Sequence, residues 1–185
     1  MKEGMFEEYL TGLFKDVPCY VYDGMIVVFA LGAIALFVVK KPKNGWRWIA
    51  GLLLLEYVAL IYCSTVVFRM SGSETGYNFM PFWSYGAILR DEDCRLLPEN
   101  VMNVVVFVPV GIILGSLLRV KGSWFIALLF GLGISVSIET LQFFLKRGFA
   151  EVDDVMHNTV GCVIGYMLVV IIKQIWLLQK RYWMS

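Results

Sequence analysis

Apolar residues gather into five long runs along this chain, with the charged residues collected between them. The runs are Asp23–Val39, Trp46–Phe68, Val101–Leu118, Trp124–Leu145 and Asn158–Leu178. Each approaches the roughly 20 residues that a helix needs to cross a bilayer, the first and third lying near the short limit. In hydrocarbon a segment must satisfy its own backbone N–H and C=O groups, which makes such runs helices. The pattern predicts an all-α fold, a polytopic membrane helix bundle with about five transmembrane helices. Ahead of them, Met5, Phe6, Tyr9, Leu10, Leu13 and Phe14 recur at helical spacing opposite Glu3, Glu7 and Glu8. Residues 1–22 therefore read as an N-terminal amphipathic segment, either a short helix on the membrane surface or a frayed tail. Acids stand where a secretory signal would carry bases, so this segment is expected to belong to the mature protein.

The turns between the runs set the orientation. Lys40, Lys41, Lys43 and Arg47 crowd one short turn, which the positive-inside rule keeps in the cytoplasm. The N-terminus and residues 69–100 then lie outside, Arg119 and Lys121 inside, residues 146–157 outside, and Lys180 and Arg181 inside, which makes the C-terminus cytoplasmic. The chain divides into the segment 1–22, two transmembrane helices over 23–68, a core with an outer aromatic loop and three transmembrane helices over 69–178, and a tail over 179–185. Gly111 and Gly115, and again Gly161 and Gly165, form GxxxG pairs, and small residues also mark the fourth run, so the last three helices are expected to pack closely. Pro109, in the middle of the third run, should kink it or free a carbonyl that a neighbour must satisfy.

Composition narrows the function. A hydrophobic share of 59% with a mean hydropathy of +0.71 leaves no room for a sizeable soluble domain. Sixteen bases against fifteen acids, with no basic tract interleaved with aromatics, exclude a nucleic-acid partner. The four cysteines show no ligand spacing, so no metal site is expected, and the sequence names no cofactor.

Polar groups inside the runs carry the chemistry, because an ionisable or amide group in hydrocarbon needs a partner or water. Arg69 closes the second run, Asn103 opens the third, Glu139 and Gln142 lie toward the end of the fourth, and Asp153, Asp154, His157 and Asn158 lead into the fifth. All of these map to the outer leaflet. Asp153 and Asn158 read equally well as residues that cap and start a helix. For Glu139 the bland alternative is a buried carboxyl that fixes helix packing. His157, a lone histidine beside acids, is expected to be solvated, and Glu56 to be structural. The aromatic run from Tyr77 to Tyr85 either anchors in the interface or covers the cluster. Asp91, Glu92 and Asp93 read as a solvated charge run.

In order, these residues resemble the VanZ-like family of bacterial membrane proteins. The resemblance covers about 69–165. It rests on Arg69, on Asn78 with Pro81 and Phe82, on the series Asn103, Phe107, Pro109, Gly111 and Gly115, on Glu139 with Gln142, and on Asp153, Asp154, Asn158, Gly161 and Gly165. It implies a cytoplasmic-membrane location and a role in tolerance to glycopeptide antibiotics, notably teicoplanin-type drugs that carry a lipid tail. The candidate ligand-binding set is then Arg69, Asn78, Pro81, Phe82, Asn103, Glu139, Gln142, Asp153, Asp154 and Asn158. The expected partners are membrane lipid and either a lipoglycopeptide antibiotic or a lipid-linked cell-wall precursor. Two other readings compete with binding. One is a membrane enzyme acting on a lipid-linked precursor, with Glu139 as acid or base and Asp153, Asp154 and His157 holding a divalent ion; the other is a small transporter or flippase that uses intramembrane carboxyls.

Overall fold

A computed structural model describes residues 12, 14–35, 38, 44–69, 76–90, 96–118 and 124–183. The basic turns at Lys40 to Lys43 and Arg119 to Lys121, the acidic run Asp91 to Asp93 and most of the N-terminal segment lie outside the described residues. The elements in chain order are α1 (Cys19–Ala35), α2 (Gly45–Tyr62) continued by a π-helical turn (Cys63–Val67), β1 (Gly76–Asn78), α3 (Trp83–Leu89), α4 (Leu96–Leu117), α5 (Trp124–Leu145), β2 (Phe149–Glu151) and α6 (Val152–Tyr182). Four segments among the described residues are long and apolar enough to cross a membrane, namely Gly45–Val67, Leu96–Leu117, Trp124–Leu145 and Val152–Lys180, and the shorter apolar helix α1 accompanies them. The fold is the all-α polytopic bundle that the pattern predicts.

Two helices begin earlier than the apolar runs suggest. α4 starts at Leu96 rather than Val101, with Glu99 in its first turn, and α6 starts at Val152 rather than Asn158, with Asp153 and Asp154 in its first turn. Acids at a helix start complement the positive end of its dipole, so polar first turns extend helices beyond their apolar stretch. β1 and β2 pair in parallel over three residues, Gly76 opposite Phe149 and Asn78 opposite Glu151, an addition that alternation could not signal in so short a stretch.

The core follows from the glycines. A β-carbon at Gly111 would stand 1.9 Å from the Cys162 carbonyl oxygen, and one at Gly165 would stand 2.0 Å from that of Val108. Only hydrogen fits there, so α4 and α6 meet backbone to backbone. Phe107, Val110, Ile61 and Cys162 are fully buried around this seam. α2 lies on its other side, where the Tyr57 hydroxyl donates to the Val106 carbonyl at 3.0 Å, close before the Pro109 interruption. Tyr62 also shares a hydrogen bond with Ser137 of α5. The end of α2, the start of α4, the end of α5 and the start of α6 thus gather at one face of the bundle. The start of α2 and the end of α4 meet at the opposite face, where Arg47 bonds Leu117.

Candidate functional site

The polar residues at the first of these faces enclose a cavity of about 80 Å³. Arg69, Asn103, Glu139, Gln142, Asp154 and Asn158 all line it, over a floor formed by Ile61, Val106, Phe107 and Ile138. Six of the ten expected site residues are therefore brought together from four different segments.

Each side chain is aimed by a bond to a neighbouring element. Because α6 begins at Val152, Asp154 sits one turn before Asn158, and its Oδ1 accepts from Asn103 Nδ2 of α4 at 2.7 Å. Asn158 Nδ2 donates to Ser135 Oγ of α5 at 2.9 Å. Glu139, only 8% exposed, accepts the Glu151 backbone N–H at 3.0 Å through Oε2 and so ties α5 to β2. Gln142 Nε2 donates to the Thr65 carbonyl at 3.0 Å. That carbonyl lies in the π-helical turn that ends this helix, where the last carbonyls have no partner within the helix. Arg147 donates from Nη1 to the carbonyls of Val66, at 3.1 Å, and Val67 in the same turn. The exposed Arg69 guanidinium rests on Gly148, where φ is +142° and a β-carbon would lie 3.0 Å from Arg69 Cζ. Glycine here supplies both the backbone conformation and the room.

Asp153 is not in the cavity. It is 1% exposed, its Oδ1 accepts from Phe82 N at 2.6 Å, and its Oδ2 accepts from Ser84 N at 3.0 Å and Ser84 Oγ at 2.5 Å. Asn100 Nδ2 completes the cluster by donating to Ser84 Oγ at 3.0 Å. Asp153 thus supplies the cap of α3 from a distant part of the chain and latches that short helix to the start of α6. Phe82 takes a left-handed conformation, φ +62°, to present its N–H to the latch. Asn78, Pro81 and Phe82 also lie away from the cavity. Asn78 Oδ1 accepts from Met80 N at 3.0 Å in a local turn, and the Pro81 and Phe82 side chains are exposed.

His157 corrects the expectation of a solvated side chain. It is 7% exposed, and its Nε2 shares a hydrogen bond with the Tyr85 hydroxyl at 2.7 Å. α3 folds over the start of α6 and buries it. Residues that sequence reasoning passed over are Ser84 and Asn100 in the latch and Glu151 beside the cavity. Glu151 Oε2 accepts from Trp83 Nε1 at 3.2 Å. Burial raises the Glu151 carboxyl above its ordinary range, the Trp83 bond and Arg69 oppose this, and the charges of Asp153 and Glu99 add to it. No local pattern marks these three, because their roles depend on where the segment 76–90 lands.

A second hollow adjoins the first. It is an apolar groove of about 290 Å³ between α5, β2 and the start of α6, walled by Phe79, Val136, Phe143 and Val155. Glu139 lines both hollows. Tyr77 stacks on Phe79 at 4.9 Å and meets Phe143 edge-on at 5.8 Å, so part of the aromatic run forms a groove wall. The arrangement joins a polar chamber, supplied with one guanidinium, two carboxyls and three carboxamides, to an apolar channel. Among the described residues no group of three or more His, Cys, Asp or Glu side chains is placed to hold a metal ion.

A family model described as VanZ/LLP1 matches residues 26–173, most of the chain. The chain is 29% identical over 126 residues to protein VanZ of Enterococcus faecium, an overlap that covers 64% of this chain and 71% of that relative. No solved structure gives a significant match.

Proposed function

Since this chain belongs to the VanZ/LLP1 family, we propose that it binds a lipid-tailed ligand at the outer face of the cytoplasmic membrane and thereby supports tolerance to teicoplanin-type glycopeptides. The observation that carries this reading is the shared wall at Glu139, which places a polar chamber and an apolar groove in contact. A head group in the chamber meets donors from Arg69, Asn103 and Asn158, while its acyl chain lies along Phe79, Val136 and Phe143. A groove of about 290 Å³ is at the lower end of the range for ligand sites, roughly 300–1,000 Å³, and suits a chain rather than a ring system. The orientation, site outside and basic turns inside, follows from the charge of the turns.

The test compares purified protein in lipid nanodiscs with teicoplanin, vancomycin and a lipid-linked peptidoglycan precursor. Saturable binding of a lipid-tailed probe, its recovery unchanged by mass, and a loss of at least about tenfold in Arg69→Ala are expected, a charge-assisted contact being worth about 1.5–3 kcal/mol. A susceptible host expressing the chain should show a teicoplanin-selective rise in inhibitory concentration that Glu139→Gln removes. Turnover of the probe would overturn the binding reading in favour of catalysis, and equal vancomycin binding would remove the role of the lipid tail.

A further inference from the structure

The face opposite the chamber holds a cavity of about 350 Å³ between the start of α2, the end of α4 and α6. Two cations line it. Arg47 Nη2 donates to the Leu117 carbonyl at 2.7 Å, and Lys173 Nζ donates to the Gly115 carbonyl at 2.8 Å. These are carbonyls from the last turn of α4, which have no partners within the helix. Each bond uses one donor, whereas a guanidinium carries five N–H groups and an ammonium three. Asn44 and Ser116 add polar groups, Trp46, Leu117 and Leu118 supply apolar walls, and among the described residues no carboxylate borders the cavity.

The surrounding sequence sharpens the imbalance. Lys40, Lys41 and Lys43 precede Asn44, Arg119 and Lys121 follow Leu118, and Lys180 and Arg181 lie beyond Lys173. No acid occurs between Asp23 and Glu56, between Glu99 and Glu139, or after Asp154. The stretches of sequence that carry these cations thus supply no acidic side chain to balance them. The depth of this end of the bundle in the membrane is marked as well. Trp46 and Trp48 in the first turn of α2 and Trp124 at the start of α5 are all at least half exposed, which is the aromatic belt found at head-group level.

We propose that this cavity binds the phosphate of an anionic phospholipid in the adjoining leaflet, with Arg47 and Lys173 as its ligands. A phosphodiester offers acceptor oxygens to both cations at once. Cationic pockets between transmembrane helices on the positive-inside face recognise head groups in this way. The glycerol and first methylenes lie against Trp46 and Leu117, which a soluble phosphate cannot use. The site is independent of the chamber on the other face and stands or falls separately from it.

The experiment is native mass spectrometry of the full chain released from detergent with equal amounts of phosphatidylglycerol and phosphatidylcholine. Retention of phosphatidylglycerol over phosphatidylcholine is expected. A loss of about tenfold or more is expected in the double variant Arg47→Gln, Lys173→Gln, with Lys180→Gln unchanged and Lys173→Arg retaining binding. Inorganic phosphate and glycerol 1-phosphate, added to the wild-type protein, should displace little of the lipid. Equal retention of both lipids, or full displacement by inorganic phosphate, overturns the proposal on wild-type protein alone, whether or not the double variant folds. Undiminished phosphatidylglycerol binding by a folded double variant overturns it too.

Discussion

Replacing Asp153 by Asn keeps the shape of the latch and removes its charge. The wild-type carboxylate accepts three hydrogen bonds, from Phe82 N, Ser84 N and Ser84 Oγ. An amide can accept through one atom only, so its NH₂ group must face a donor on at least one side. A hydrogen bond to a charged group contributes about 1.5–3 kcal/mol against 0.5–1.5 for a neutral pair, and an unmet buried donor costs about 1–3 kcal/mol. Allowing for non-additivity, the latch should weaken by about 2–4 kcal/mol. At 1.4 kcal/mol per tenfold, that is roughly a 30- to 1,000-fold rise in the opening equilibrium of α3. Hydrogen exchange with mass spectrometry reads this directly. Amides of residues 82–89 should exchange faster by that factor, while those of 104–115 and 160–166, on the glycine seam, stay unchanged. Unaltered exchange over 82–89 in a folded variant would refute the latch. A rise spread evenly through the seam would show instead that Asp153 supports the whole bundle.

Two further outcomes follow from packing and from titration. Gly161→Ala sets a β-carbon 2.1 Å from the Val104 carbonyl oxygen, so the helices must separate, and a loss of about 3 kcal/mol or more is expected in thermal unfolding; Gly133→Ala, with nothing within 4 Å, should change little. Glu151 has its pKa raised in the folded state, chiefly by burial, so the folded form holds its proton more tightly. Its stabilising contribution is complete below the ordinary value of 4.5 and is lost as pH rises through the raised one. The melting temperature of wild type should therefore fall relative to Glu151→Gln as pH climbs from about 4 through that window, and parallel profiles would contradict it.

The sequence was legible where a residue's role depends on its own helix. Glu139 and Gln142 share a face at three residues' separation, Asn103 opens an apolar run at its outer end and Asp154 sits one turn before Asn158, so their convergence in one cavity could be read from period and topology alone. GxxxG spacing likewise marked the seam between α4 and α6. What escaped depends on long-range placement. Asp153 looks like a cap for its own helix and instead caps α3, some seventy residues earlier in the chain. His157 looks solvated until α3 covers it. Asn78, Pro81 and Phe82 stand in the resemblance as site residues, yet their geometry serves the turn and the latch. The π-helical turn that offers the Thr65 carbonyl to Gln142 has no sequence signature comparable to a proline or a glycine cap.

Seam and site depend on one another. Asn103 directly precedes Val104, whose carbonyl closes on Gly161, and Asn158 lies three residues before that glycine. The backbone approach at the seam therefore sets the distance at which Asn103 and Asp154 face each other just above it, 2.7 Å. Any side chain at Gly161 would widen α4 from α6, stretch that bond and enlarge the chamber. The floor of the chamber, Phe107 and Val106, is also the upper layer of the buried core. The chamber is consequently pre-formed by helix packing, and under the proposed binding role this spares much of the ordering cost that a flexible site would meet.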